Sequence, residues 1–375
     1  MVHINVKEIT DEITLHSKEL KINNAKIFLK GIAHEIDQKC LRFDDQAETI
    51  NISVPNLLQL GSKAILEIRF TGVLNDSLRG FYRTDYTIRN NEIKWIATTH
   101  FEPTFARYAF PCFDEPEFKS TFSIALNVRK GLVGLSNGKV KNESYNIETG
   151  MNEIIFEKSP IMSTYLVAFV VGEFDYIEGI AKSRYSKQPI RTRIYTPPGQ
   201  KESGKFSLSV AIRAIEFFEN TFEIPYTLPK IDHIAINKTP SGAMENWGLI
   251  IYKKNLLLLN DSFENKGNGS TSILEEKTGD IDKKYIVRTI CHELAHQWLG
   301  NIVTMKWWSD LWLNEGLATW AELLCVDSLF SEWNIWAHFL VYRRTIFLDA
   351  DSKDTSNSLV YPGFLMTGLT GQEFR

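Results

Sequence analysis

The 375-residue sequence lacks several features that assign a protein to a class by composition alone. It contains only 4 cysteines, and no two of them have the close spacing of a zinc-finger or thioredoxin-like motif. Cysteines without a paired spacing are expected to be free thiols buried in the protein interior. These are Cys40, Cys112, Cys291 and Cys325.

The sequence also has no apolar run of about 18 residues and no N-terminal signal peptide. It therefore predicts no membrane segment, and a cytoplasmic location is the expectation. No lysine- or arginine-rich run offsets the net charge of −4, which argues against nucleic-acid binding. Asn-x-Ser/Thr glycosylation sequences would alter the expected location only with an upstream targeting segment. They begin at Asn51, Asn75, Asn142, Asn237, Asn260 and Asn268.

What the sequence does contain is a metal-binding motif, His-Glu-Leu-Ala-His, at residues 292–296. On an α-helix, His292 and His296 lie on one face, so both can bind the same metal ion. Glu315 follows on a second helical pattern and supplies a third ligand. Two histidines and one carboxylate leave a fourth position for water, as in catalytic zinc sites. Glu293, beside this set, is the predicted general base.

The two segments that carry these ligands have the apolar periodicity of helices, over residues 282–299 and 310–329. An antiparallel pair of such helices would bring Glu315 opposite the histidines. Glu322 lies about two turns beyond Glu315 and so shares its face. We expect Glu322 either to hydrogen-bond a ligand histidine or to be a solvated surface carboxylate.

The remaining patterns differ between the two halves of the chain. The first half alternates apolar and polar residues with period two, as at residues 50–54, 66–70 and 122–128, which predicts antiparallel strands. The second half alternates strands with an amphipathic helix and predicts a mobile loop at residues 261–282. The predicted elements are strands at 191–195, 232–236 and 249–252 and a helix at 206–222.

Longer motifs surround the metal-binding set, and together they resemble the aminopeptidase N family of zinc metallopeptidases from about residue 15 to residue 350. Within that family, the motifs resemble those of the puromycin-sensitive and endoplasmic-reticulum aminopeptidases. The motifs are Phe101-Glu102-Pro103-Thr104, Phe110-Pro111-Cys112-Phe113-Asp114-Glu115-Pro116, Gly242-Ala243-Met244-Glu245-Asn246-Trp247-Gly248, the 292–298 segment and the 307–316 segment.

This resemblance implies a multi-domain α+β fold. An antiparallel β-sandwich-like domain would occupy residues 1–180. A thermolysin-like α/β zinc catalytic domain, incomplete at its C-terminus, would occupy residues 181–375. The implied activity is hydrolysis of peptides from their free N-terminus, with one zinc ion per chain and peptides as partners. The oligomeric state is not implied.

Recognition of a free α-ammonium requires fixed carboxylates beside the metal. The resemblance assigns this task to Glu245 and to Glu102, which would extend from the β domain. The segment around Glu245 would form the edge of the pocket, where small residues allow a substrate backbone to pair with it as a strand. The other residues of this substrate-binding segment are Gly242, Ala243, Met244 and Asn246.

The sequence departs from the family pattern in three places. His100 and Phe105 stand where the family usually has Gln and either Asp or Ala, which leaves the preferred N-terminal residue open. His100 fits a pocket wall or core position better than a fourth metal ligand. The family's oxyanion tyrosine has no equivalent, since Tyr361 comes too early. We therefore expect a chain truncated at both ends. Loss of one oxyanion donor typically costs about 10²–10³ in rate, so turnover is expected to be impaired.

Three functions remain open on these observations. The first is a zinc aminopeptidase, and the second is a catalytically weak or inactive homologue that binds zinc and peptides. The third is a thermolysin-like endopeptidase, which would use the same metal site without recognising an amine.

Overall fold

Short antiparallel strands dominate the chain as far as residue 172. The structure, a computed structural model, describes residues 1–87, 92–185, 188–259, 273–353 and 356. The strands of this first part are β1 (Val2–Asn5), β2 (Thr10–His16), β3 (Leu20–Leu29), β4 (Ile32–Ile36), β5 (Leu41–Asp44), β6 (Thr49–Leu58), β7 (Lys63–Gly72), β8 (Gly80–Thr87), β9 (Ile93–His100), β10 (Ala125–Arg129), β11 (Val133–Ser136), β12 (Val140–Asn146), β13 (Met151–Phe156) and β14 (Phe169–Gly172).

These strands form four sheets, in the orders β1-β7-β3-β4, β2-β6-β5, β11-β14-β9-β8 and β10-β13-β12. One apolar core contains residues from both of the first two sheets, among them Ile27, Ile50, Ile52 and Leu66. The predicted alternation is visible in β6, where Ile50 and Ile52 are fully buried and Asn51 is half-buried. The expected antiparallel, sandwich-like β domain is confirmed.

A mixed five-stranded sheet follows, in the order β15-β16-β17-β19-β18. Its two central pairings, β16 with β17 and β17 with β19, are parallel, and the two outer pairings are antiparallel. The division of the chain near residue 180 stays a prediction. The strands are β15 (Asp175–Ala181), β16 (Ile190–Thr196), β17 (Lys230–Ile236), β18 (Ala243–Met244) and β19 (Leu249–Lys253).

Helices pack against this sheet and against one another around a second apolar core, which includes Phe218, Ile250, Ile286 and Ile290. No described helix is long and apolar enough to cross a membrane. The helices are α1 (Lys205–Phe222), α2 (Ile273–Ala295), α3 (Leu311–Leu329), α4 (Ile335–His338), a π-helical segment (Phe339–Arg343) and α5 (Arg344–Asp351). Short 3-10 helices lie at Gln38–Cys40, Ala106–Tyr108, Thr164–Leu166, Lys201–Gly204, Lys254–Leu256, Trp308–Asp310 and Ser331–Trp333.

Helix α2 differs most from its prediction. It begins at Ile273, so the second part of the loop predicted at 261–282 is helical, while residues 260–272 lie outside the described residues. Residues 274–277, Leu-Glu-Glu-Lys, are good helix formers without an apolar stripe, which is why periodicity missed them. The helix also ends at Ala295 rather than at residue 299.

Helix α3 has the predicted bounds to within one residue but not a wholly buried apolar face. Leu311 and Leu323 are buried, whereas Leu317 and Trp320 are 45% and 49% exposed. Core packing therefore accounts for only some of the apolar residues of this helix.

A disulfide between Cys291 and Cys325 joins α2 to α3, with 6.0 Å between the two Cα atoms. The expectation of free thiols is wrong for this pair, whereas Cys40 and Cys112 are free. The two residues are 34 positions apart on different helices, so no local spacing signals the bond.

Removal of this cross-link should destabilise the protein. A disulfide that closes a loop of this length contributes about 3–4 kcal/mol in the chain-entropy model. We expect Cys291→Ser to lower the free energy of unfolding by about 2–4 kcal/mol in denaturant titrations. Cys40→Ser, at a free cysteine, should change it by less than about 0.5 kcal/mol. Four reactive thiols in the denatured, unreduced protein would contradict the assignment.

Candidate metal centre

The three predicted ligands, His292, His296 and Glu315, lie together between α2 and α3. The two Nε2 atoms are 3.0 Å apart, and they lie 3.4 and 3.6 Å from the two carboxylate oxygens of Glu315. Ligand atoms held about 2.1 Å from a tetrahedral metal ion lie about 3.4 Å from one another. The residues present therefore fit one metal ion of the size of zinc.

The Nδ1 atom of each histidine, on the side of the ring away from Nε2, has an acceptor that orients the ring. Nδ1 of His292 is 3.3 Å from Oε2 of Glu322, and Nδ1 of His296 is 3.0 Å from the carbonyl oxygen of Leu299. Both acceptors favour a proton on Nδ1, which leaves the Nε2 lone pairs directed at the metal position.

Glu322 is buried. Of the two expected positions, beside a ligand histidine or solvated on the surface, the structure therefore shows the first. It also accepts a hydrogen bond of 2.6 Å from Nε of Arg288. Burial raises the pKa of Glu322, but the hydrogen bond from His292 and the charge of Arg288 outweigh it, and the net shift is downward. A charged Glu322 can therefore orient the ring of His292.

A tight turn after α2 completes the surroundings of His296. The backbone N–H of Asn301 donates to the carbonyl oxygen of His296, and Gly300 adopts a φ of +130°. A side chain at Gly300 would be strained by this backbone conformation, and its Cβ would lie 3.2 Å from Nδ1 of His296, which is a tight contact. The turn also returns the chain toward Glu245.

Glu245 is buried beside the metal-binding residues. Its backbone carbonyl oxygen accepts two hydrogen bonds of 3.1 Å, from Nε2 of Gln297 and Nδ2 of Asn301. Burial and the nearby charges of Glu293 and Glu315 raise the pKa of Glu245 well above its usual value. A carboxyl group in this position ionises most readily when a cation accompanies it.

The segment that carries Glu245 is held on both sides. Ala243 and Met244 form β18, the last strand in the sheet order among the described residues, and the carbonyl of Gly242 accepts from the backbone N–H of Lys253. Nδ2 of Asn246 donates to the carbonyl oxygens of residues 165 and 167, at 3.3 and 3.4 Å. The predicted substrate-binding segment is thus a sheet edge anchored to the neighbouring layer.

Glu102 lies in the same neighbourhood, in the loop that follows β9. Its charge acts on the buried Tyr165, whose pKa is raised well above its usual value first by burial and then by the charges of Glu245, Glu102 and Glu315. The Tyr165 hydroxyl donates to a backbone carbonyl at residue 300 and accepts from Asn314 Nδ2, each at 3.3 Å.

Two further predictions concern residues away from the ligand set. His100 is buried at the end of β9 and is not part of the ligand group found among the described residues. Tyr361 and the rest of residues 357–375 lie outside the described residues.

Sequence reasoning did not single out Gln297, Asn301, Arg288 and Tyr165. Each is polar or ionisable yet mostly buried, and each acts through a contact with a residue distant in sequence. Gln297 and Asn301 immediately follow the histidine motif, and that adjacency was the one available signal.

Two family models match the sequence: the Peptidase M1 N-terminal domain over residues 1–166 and the Peptidase family M1 domain over residues 206–364. The chain belongs to the M1 peptidase family, which confirms the resemblance seen in its motifs. This family consists of zinc metallopeptidases in general, and the ligand group described above is compatible with that.

Among curated proteins, the chain is similar to several aminopeptidases. It is 41% identical over 340 residues to "Puromycin-sensitive aminopeptidase" of Caenorhabditis elegans, with 90% of this chain and 34% of the relative aligned. It is 42% identical over 339 residues to "Aminopeptidase M1-D" of Oryza sativa subsp. japonica, with 90% and 36% aligned. With "Aminopeptidase 2, mitochondrial" of Saccharomyces cerevisiae, identity is 38% over 353 residues, with 94% and 34% aligned. The chain thus spans about a third of the length of these relatives.

The contact between Glu322 and His292 should matter for metal affinity. Loss of a carboxylate behind a ligand histidine typically weakens metal binding about 10–100-fold. We expect Glu322→Gln to weaken zinc binding by that factor, measured by competition with a chelator. Glu332→Gln, at an exposed carboxylate shortly after α3, is the matched control and should leave zinc affinity unchanged. Equal affinities in the two variants would show that Glu322 has no such role.

Proposed function

We propose that this chain carries the active site of a zinc-dependent aminopeptidase, which removes N-terminal amino acids from peptides. The observation that supports this most directly is the buried carboxyl group of Glu245 beside the metal-ligand set. A metal site alone would suit any metallopeptidase, but a buried carboxylate next to it provides a place for a substrate cation. The similar curated proteins, which are named as aminopeptidases, support the same proposal.

His292, His296 and Glu315 would hold the zinc ion, because two imidazoles and one carboxylate are a donor set typical of catalytic zinc. Zinc, when bound, would act as a Lewis acid toward the scissile carbonyl and would acidify the attacking water. The remaining chemistry belongs to the side chains around it.

Glu293 is the proposed general base. It is buried one residue after His292 and close enough to Glu245 for its charge to raise that residue's pKa. It would accept a proton from the attacking water and deliver it to the departing amine. One carboxylate can serve both steps because the proton that it accepts from the water is the one that it passes to the amine.

Glu245 and Glu102 would bind the α-ammonium of the substrate. The charges of both carboxylates and of Glu315 act on the buried hydroxyl of Tyr165, which supports a shared neighbourhood for them. The backbone of Gly242, Ala243 and Met244 would pair with the first residues of the peptide, since β18 is at the sheet edge. Because the ammonium would bind beside the metal centre, only the first peptide bond of the substrate would reach the metal.

The two other functions lack a comparable observation. A thermolysin-like endopeptidase would have no use for a buried carboxylate at Glu245, and the relatives are not named as endopeptidases. An inactive zinc- and peptide-binding homologue would keep both Glu245 and the ligand set, so activity measurements must separate it. The cytoplasmic location stays a prediction, since one relative is named as mitochondrial.

Hydrolysis of a leucyl anilide by the zinc-loaded protein tests the proposed activity. We expect cleavage of the free-amine substrate, no cleavage of its N-acetylated form, and loss of about 10²–10⁴ in kcat for Glu293→Gln. Equal cleavage of the acetylated substrate would indicate an endopeptidase. Absence of cleavage by a protein that binds one zinc ion would indicate the inactive homologue.

The role of Glu245 is tested by Glu245→Gln, which keeps the shape of the side chain and removes its charge. Loss of a buried, charged hydrogen-bond partner costs about 2–3 kcal/mol, so kcat/KM for free-amine substrates should fall about 30–150-fold. The zinc content should stay at one per chain. Glu148→Gln, at an exposed carboxylate in the β domain, is the control. Unchanged kcat/KM in the Glu245 variant would remove it from amine binding.

A further inference from the structure

Gln297 joins the two glutamates on which the proposed reaction depends. Its Nε2 atom donates to the carbonyl oxygen of Glu293 and to that of Glu245, each at 3.1 Å. Gln297 is fully buried and lies directly after His296 in sequence. One side chain therefore connects the backbone of the general base to the backbone of the amine-binding residue.

Asn301 makes a second connection to the same atom. Its Nδ2 donates to the carbonyl oxygen of Glu245 at 3.1 Å, and its own backbone N–H donates to the carbonyl oxygen of His296 at 3.0 Å. Asn301 is also fully buried. The glycine turn at Gly300 makes this return possible, because it brings residue 301 back alongside the metal-binding helix.

Two side-chain amides converge on one carbonyl oxygen, which has two lone pairs to accept them. Most buried backbone carbonyls receive their donors from secondary structure instead. At Glu245 both donors come from the segment that holds His296, whereas the side chain of Asn246 is bound to the opposite layer. Hydrogen bonds thus tie the backbone of Glu245 directly to the segment that carries His296.

We propose that Gln297 and Asn301 are positioning residues that fix Glu245 at a set distance from the metal centre and thereby set the preference for a free N-terminus. This inference rests on the proposed function, because it assigns a cause to the amine preference of that same site. The two amides donate to backbone carbonyls and are not part of the metal-ligand group, so their loss should leave metal binding intact. It should weaken the contact between Glu245 and the ammonium, since misplacement of a binding group by a fraction of an ångström lowers its contribution.

The experiment compares two hydroxamates that differ only in an α-amino group: leucine hydroxamate and 4-methylpentanoyl hydroxamate. Both bind zinc through the hydroxamate, and only the first has an ammonium for Glu245. Their Kd values are measured by calorimetry on zinc-loaded protein, so no turnover is needed. The ratio of the two Kd values reports amine recognition separately from metal binding.

The test variants are Gln297→Met and Asn301→Leu, which keep side-chain volume and remove the donor. We expect each to reduce the preference for the amino-hydroxamate about tenfold, equivalent to about 1.4 kcal/mol. The Kd of the amine-free hydroxamate and the zinc content should change less than about twofold. Gln38→Met is the matched control, because Nε2 of Gln38 also donates to two backbone carbonyls, those of Ile22 and Asn23, in the β domain.

The possible failures are distinguishable. A wild-type protein that binds both hydroxamates equally would overturn the proposed function. A wild-type preference that both folded variants retain would overturn the positioning role alone. Equal weakening of both ligands, or loss of zinc, would assign the two amides to general stability and overturn the inference as well. If a variant does not fold, Asn301→Ser and Gln297→Ser provide the same comparison with smaller side chains.

Discussion

The candidate site is governed by one electrostatic constraint: several carboxyl groups are buried beside the metal-ligand group. Glu245, Glu293 and Glu322 are buried, and the charges of Glu293 and Glu315 reach Glu245 strongly enough to raise its pKa. Burial of like charges is unfavourable unless cations compensate them. Arg288 compensates Glu322 from within the protein, and in the proposed function a metal ion and a substrate ammonium add positive charge beside Glu315 and Glu245.

The backbone around these carboxyl groups is held in place by several contacts. Repulsion between buried carboxylates would favour their separation, and contacts that hold the main chain oppose it. The disulfide fixes α2 against α3 one residue before His292, and the turn at Gly300 closes onto His296. Gly248, with a φ of +84°, lets the Glu245 segment approach the β domain, since a Cβ there would lie 2.4 Å from a backbone oxygen at residue 137.

Periodicity and motif spacing predicted the elements that local sequence determines. The antiparallel strands of the first half, helices α1 and α3, and the shared face of His292 and His296 all depend on neighbours within about two turns. The missed features depend on tertiary contacts. The pairing of Cys291 with Cys325, the polar first turns of α2 and the amides of Gln297 and Asn301 have no periodic signal, because each is defined by a partner distant in sequence or by helix propensity without an apolar face.

The same contrast explains why a short motif carries less information than its surroundings. Five residues suffice to bring two imidazoles together on a helix, and any metallopeptidase of this type could use them. Selection of a substrate end requires a fixed distance between the metal and a buried carboxylate on another part of the chain. In our proposal the neutral amides of Gln297 and Asn301 set that distance by donating to the backbone oxygen of Glu245. They add no charge to a site already rich in carboxylates. In the proposed function a lysine or arginine in their place would compete with the substrate amine for Glu245, whereas an uncharged amide donor would not.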